Sequence, residues 1–355
     1  MTDNASPPDP RPRSGWADVA KGVCIILVVL WHVVTKHVQE VEWGSAAPVA
    51  SSWAFVSAQF LPLRMPLFFL VSGLFAVRAV SAPDSSALWR RVTRLLLLYG
   101  LWLVIQTAAL ALLAPDFETA RARSLLEFLA NLTVNPTNLW YLQALAVYVL
   151  VARLVRRVPT AVVLGVAFLV SSIAGAGLLP DWGNFGQVIQ NAFFFLLGLR
   201  GSARVTRAVA VGRGRHVVLA GAVFAVGVVV VGGLHVRGVF GVWPTLSLMA
   251  VAAGVGVCAI LDRRVASVAA PLRWVGRRTL PIYVIHMIPL AVADRLLREW
   301  DVLPALPGAA VWEPVLLTIV VIAVSLGAHR LLVRVAHGVL FDPLVPAWRW
   351  SAEHR

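Results

Sequence analysis

Long, unbroken apolar blocks separated by short polar stretches dominate the pattern of this chain. The hydrocarbon core of a bilayer, ~30 Å thick, takes about 20 apolar residues of helix per crossing. Ten blocks are candidates: Val19 to Val38, Trp53 to Val77, Leu95 to Leu113, Leu139 to Leu154, Val158 to Leu178, Gln187 to Leu199, Val217 to Leu234, Val242 to Leu261, Leu280 to Leu297 and Trp312 to Val333. The fourth and sixth are short. Valine is frequent in them and also favours strands, but barrel strands alternate apolar and polar positions over ~10 residues, and these runs are continuous. The pattern predicts an all-α polytopic membrane protein of about ten transmembrane helices.

Composition agrees. Of 355 residues, 59% are hydrophobic and 14% charged, which leaves too few polar residues to cover a soluble domain. A net charge of +14 can signal nucleic acid, so its distribution decides. With a cytoplasmic N-terminus, 24 of the 31 lysines and arginines fall on the inner side together with 7 of the 17 acids, as the positive-inside rule requires. The sequence therefore predicts cytoplasmic termini, a plasma-membrane location and no nucleic-acid partner. It divides into a polar cytoplasmic tail (1–15), one transmembrane domain (16–335) and a second cytoplasmic tail (336–355). The first apolar run lacks a small-residue cleavage site and reads as a retained helix. Cys24 and Cys258 stand in apolar runs without CxxC spacing, and no Walker A, HExxH or GxSxG motif occurs; no bound cofactor or metal is expected.

Charged and polar residues inside apolar runs are the candidates for chemistry, because each is costly in lipid unless it faces protein or water. The first block holds Asp18, Lys21 and His32. Asp18 and Lys21 are three apart and can pair on one helix face. Lys21 and His32 are eleven apart, three turns or ~16 Å of rise on the same face. This sets a cation near the cytoplasmic mouth and an imidazole within the membrane, where it either transfers protons or hydrogen-bonds between helices. In the second block Arg64 lies between Pro62 and Pro66, where loosened backbone faces protein or a cavity. It can bind an oxygen-rich group or snorkel outward. Arg91 and Arg94, three apart in a cationic cluster, can clasp phosphates or simply obey the positive-inside bias. Trp140 and Tyr141 open the fourth block in a polar and aromatic knot that begins at Asn135, and His286 follows Tyr283 by one turn in the ninth.

Taken together these segments resemble the acyltransferase type 3 family of integral membrane O-acyltransferases, from Trp16 to about Val333. The resemblance rests on Asp18, Lys21 and His32, on the basic-x10-His spacing, on Arg91-x-x-Arg94, and on MPLFFLVSGLF, LWYL and LPIYVIH. It implies a ten-helix core that takes an acyl group, usually acetyl, from cytoplasmic acyl-CoA as co-substrate and transfers it to a hydroxyl of a glycan, lipid-linked sugar or small molecule at the membrane. His32 matches the family's essential histidine and Arg91 and Arg94 its RxxR motif, with Lys21 on the donor side. Arg64 departs from the family pattern, which often has histidine there. Asp18, Trp140, Tyr141 and His286 are supporting candidates. A transporter or exporter is the rival reading, but it should show paired helix interruptions in two halves. The sequence leaves oligomeric state open.

Overall fold

The computed structural model describes residues 15–117, 122–212, 214–300, 303, 306–336 and 338–344. Each of the ten apolar blocks is helical. In chain order the α-helices are α1 (Gly15–Lys36), α2 (Ala47–Gln59), α3 (Leu61–Ser81), α4 (Ser86–Leu113), α5 (Leu125–Thr133), α6 (Trp140–Leu154), α7 (Thr160–Gly175) and α8 (Phe185–Arg200). Then come α9 (Ser202–Val211), α10 (Gly214–Gly233), α11 (Val242–Arg264), α12 (Ala266–Gly276), α13 (Thr279–Ile285), α14 (Met287–Trp300) and α15 (Ala309–Val335).

Six helical segments among the described residues are long and apolar enough to cross a membrane: Gly15–Glu40, Gly44–Ser81, α4, α10, α11 and α15. The pair α13 and α14, bent by 46°, makes a seventh. The chain is therefore an all-α multi-pass membrane protein with six or seven spans by this measure, against the ten expected. The difference lies in α6, α7 and α8, whose 15, 16 and 16 residues fall just below the ~17 that a straight crossing needs. The second block also starts earlier than expected, because Pro48 in the first turn of α2 opens a separate helix. The two predicted tails fall mostly outside the described residues, as do Arg11, Arg13, Arg213, Arg349 and Arg355 of the inner cationic set.

Two crossings hold the site-bearing helices in place, and both depend on glycine. Where α3 meets α8, a Cβ on Gly73 would lie 2.1 Å from the Phe195 carbonyl oxygen, and one on Gly198 would lie 2.0 Å from that of Leu70. Where α1 meets α12, a Cβ on Gly22 would lie 2.2 Å from the Leu272 carbonyl oxygen and one on Gly276 would lie 1.8 Å from that of Asp18. Small residues let helix backbones approach closely in a membrane, where packing replaces the hydrophobic drive of water. By contrast α10 has no buried residue and packs at the edge on α11, which suits its apolar character all round.

At one end of the bundle, arginines close neighbouring helices. Arg153 at the end of α6 donates to the carbonyls of Val80 in the last turn of α3 and Ala82 just past it, Arg200 at the end of α8 donates to Val155 past α6, and Arg263 at the end of α11 donates to Val209 of α9. The last carbonyls of a helix lack intrahelical partners, and cationic donors satisfy them.

Candidate active site

The α13–α14 bend has a local cause. Pro289 has no N–H to give to the carbonyl of Ile285, so the helix opens one turn before it. His286 occupies the break and is fully buried. Its Nδ1 lies 2.8 Å from the Tyr283 carbonyl oxygen and 3.1 Å from that of Ile282, while its Nε2 lies 2.9 Å from Nδ1 of His32. Carbonyl oxygens only accept, so Nδ1 of His286 donates and, in the neutral ring, its Nε2 accepts. His32 must then donate from Nδ1, which leaves the lone pair on its Nε2 available. The network assigns this tautomer.

His32 lines a cavity of about 460 Å³ at the end of the bundle opposite the capping arginines. Its walls come from α1, α3, α7, α8, α13, the first turns of α6 and α11 and the segments before them, and they include Trp31, Arg64, Asn138, Trp140, Gln190, Asn191 and Trp243. Arg64 sits in the first turn of α3 and is 8% exposed. It does not snorkel: its guanidinium carbon stands 4.4 Å from the ring centre of Trp31, the residue before His32. Trp140 and Tyr141 are buried within the protein. Tyr141 shares a 2.7 Å hydrogen bond with Ser72 and stacks on Phe68, and its backbone N–H donates to the Tyr283 hydroxyl, which in turn donates to the Asn138 carbonyl.

The cationic candidates gather at the far end. Lys21 Nζ pairs with Asp18 at 2.7 Å, and the other oxygen of Asp18 accepts from Arg277 Nε at 3.0 Å. Lys21 also lies 5.4 Å from the ring centre of Phe75, whose carbonyl accepts from Arg91. Lys21 and Arg91 thus flank one residue. Arg94 turns elsewhere, 3.3 Å from Asp342 and bonded to the Phe341 carbonyl. The structure therefore joins His32 with His286 and Arg64 at one level, and Asp18 with Lys21 and Arg91 at another.

Several residues of the cavity escaped sequence reasoning. Gln187, Gln190 and Asn191 stand at i, i+3 and i+4 within an otherwise apolar run, a one-face spacing that was readable. Arg237 and Trp243 lie around the start of α11, and only the fold brings them to the cavity. A buried cluster also went unnoticed: His37 lies 2.8 Å from Asp294 through Nδ1 and 3.3 Å from Glu313 through Nε2, joining the end of α1 to α14 and α15.

A family model described as an acyltransferase domain matches residues 14–330. The chain belongs to the acyltransferase 3 family. The match runs from α1 into α15 and so takes in both clusters of this acyltransferase 3 chain. The chain is also 28% identical over 197 residues to the inner membrane protein YcfT of Escherichia coli (strain K12), across 52% of its own length and 55% of that protein. It thus spans about half the length of this curated relative. No solved structure matches it.

Proposed function

We propose that the chain is a plasma-membrane O-acyltransferase that moves an acetyl or other short acyl group from cytoplasmic acyl-CoA to a hydroxyl of a glycan, a lipid-linked sugar or a small molecule. Ten helices cross or enter the bilayer in this reading, both termini are cytoplasmic, and the capping-arginine end faces the cytoplasm. The single observation that carries the chemistry is the His32–His286 contact at the wall of a polar cavity. A histidine held in one tautomer by a second group is a general base prepared for use.

In this mechanism Nε2 of His32 removes the proton of the acceptor hydroxyl as that oxygen attacks the thioester carbonyl. The carbonyl electrons move onto oxygen, and the Arg64 guanidinium stabilises the oxyanion. When the intermediate collapses the C–S bond breaks, and His32 returns its proton to the departing CoA sulfur. His286 is a positioning residue: it orients His32 and touches no reacting atom. Lys21 and Arg91 hold the donor's phosphates, with Arg94 nearby. The ~16 Å of helix between Lys21 and His32 matches the scale of the pantetheine arm.

Incubating the purified chain with acetyl-CoA labelled in the acetyl group tests this reading. Acyl exchange or slow hydrolysis that disappears in His32→Ala is the expected result. Absence of both with every short acyl-CoA, in protein that remains folded, overturns it in favour of a transporter.

A further inference from the structure

The cavity beside His32 has an unbalanced charge. Its walls carry two guanidinium groups, Arg64 and Arg237, and no aspartate or glutamate among the described residues. Arg64 is nine-tenths buried, and its Nη1 has no hydrogen-bond partner among the described residues. Arg237 stands over Trp243, 5.2 Å from the ring centre. The Arg64 guanidinium is withdrawn from water without a counter-charge, which is costly, and an aromatic face offsets only part of that cost; Arg237 is exposed at the rim of the cavity. One cation beside His32 is enough for a transient oxyanion. The second has no counterpart in that chemistry.

The remaining walls suit a sugar. Amides of Asn138, Gln190 and Asn191 offer donors and acceptors together, and Trp140 and Trp243 offer flat apolar faces for the C–H side of a ring. Three polar atoms of these residues, Asn138 Nδ2, Asn191 Oδ1 and Trp243 Nε1, are buried without a partner among the described residues. Buried polar groups are normally satisfied, so a cluster of exceptions around one cavity marks where a ligand supplies the missing bonds. A neutral sugar would use the amides and the rings and bring no counter-charge to the buried Arg64 or to Arg237 at the rim.

We infer that the acceptor is an anionic saccharide, a sugar bearing a carboxylate or a phosphate, whose charge is held by Arg237 while a hydroxyl reaches His32. Arginine suits the task because its planar fork matches either anion. The orientation of the hydroxyl rests on the acyl-transfer reading; recognition of the charge does not.

Binding therefore tests the inference independently of turnover. The full chain in nanodiscs of neutral lipid, at physiological salt, is titrated with digalacturonate against maltose and with glucose 6-phosphate against glucose. At least one charged probe should bind about tenfold or more tighter than its neutral partner, the size of one charge-assisted contact. Arg237→Gln should remove that preference and Arg237→Lys should keep part of it, both checked for folding by thermal unfolding. The carboxylate and phosphate arms tell which anion is recognised. Equal affinity for charged and neutral probes, no measurable binding of either charged probe at millimolar concentration, or a preference that survives Arg237→Gln overturns the inference. Acyl-CoA exchange and hydrolysis, followed in parallel, report on the other reading: charged-probe binding with neither exchange nor hydrolysis of any short acyl-CoA would overturn the transfer chemistry and leave recognition of the charge standing.

Discussion

His32 and His286, 254 positions apart in the chain, meet ring to ring with 2.9 Å between Nδ1 and Nε2. The backbone carbonyls behind His286 fix the direction of that bond and so the tautomer of His32. His32→Ala should lower turnover by ~10² to 10⁴ with donor affinity largely intact. His286→Ala should lower kcat with less effect on the donor KM. His286→Gln, whose side-chain oxygen can accept the same hydrogen, should recover part of the loss. Turnover per folded molecule decides the matter: a His32→Ala protein retaining more than about a tenth of it is not using His32 as a base.

Lys21 and Arg91 flank Phe75, whereas Arg94 is engaged with Asp342 and Phe341. Arg91→Ala should raise the donor KM about tenfold or more, given ~1.5 to 3 kcal/mol for a charge-assisted contact. Arg94→Ala removes a charge and also unpins the turn after α15. Asp342→Asn separates these effects, because it frees the turn and keeps the arginine. If Asp342→Asn reproduces the Arg94→Ala defect in donor affinity, Arg94 serves the turn and not the donor.

The buried His37 provides a contrast with His32. Removing one partner from a buried ionic cluster costs about 3 to 5 kcal/mol, since the others stay buried and unpaired. His37→Ala should therefore lower Tm sharply, while turnover per folded molecule stays near that of the parent protein. A large fall in specific activity with unchanged Tm would show that the cluster takes part in the reaction.

Gly73→Ala and Gly276→Ala each place a methyl group against a carbonyl oxygen of the facing helix. Overpacking of this kind typically costs about 1 to 3 kcal/mol. Gly73→Ala should also disturb the cavity, because α3 carries Arg64 and α8 carries Gln190 and Asn191. Thermal unfolding of Gly221→Ala, where a Cβ meets nothing within 4 Å, is the control; equal destabilisation of all three would remove close helix approach as the explanation.

Orientation is open to a direct measurement. Cys24 and Cys258 are buried, so thiols added by Arg207→Cys and Gln39→Cys should report cleanly. Impermeant reagent applied to intact cells should label the Gln39 position and spare that of Arg207. The opposite result would invert the topology and place the donor cluster outside.

The helices were legible because apolar blocks of this length have few other structures open to them in a bilayer. Lys21 with Asp18 was legible too, since a pair three apart in a helix has fixed geometry. The His32 partnership was not: each histidine is visible alone, but their contact depends on a helix break at Pro289 that only the fold brings against α1. Arg64 was ambiguous between snorkelling and burial until Trp31 was seen to face it. The amides of Gln190 and Asn191 lie in a short block that reads as a span, although their one-face spacing with Gln187 was readable.

The arginines that close the helix ends have a consequence for biogenesis. Arg153, Arg200 and Arg263 belong to the cationic set that orients the chain, yet each donates to a carbonyl at the end of a different helix. A helix inserted the wrong way round would carry its cation to the opposite face and leave its neighbour's carbonyls uncapped, so an error of insertion becomes an error of assembly. Lysine at these positions would preserve the charge that the insertion machinery reads but lose the planar fork. Orientation and cohesion of the bundle, though written in the same three residues, are thus separable properties.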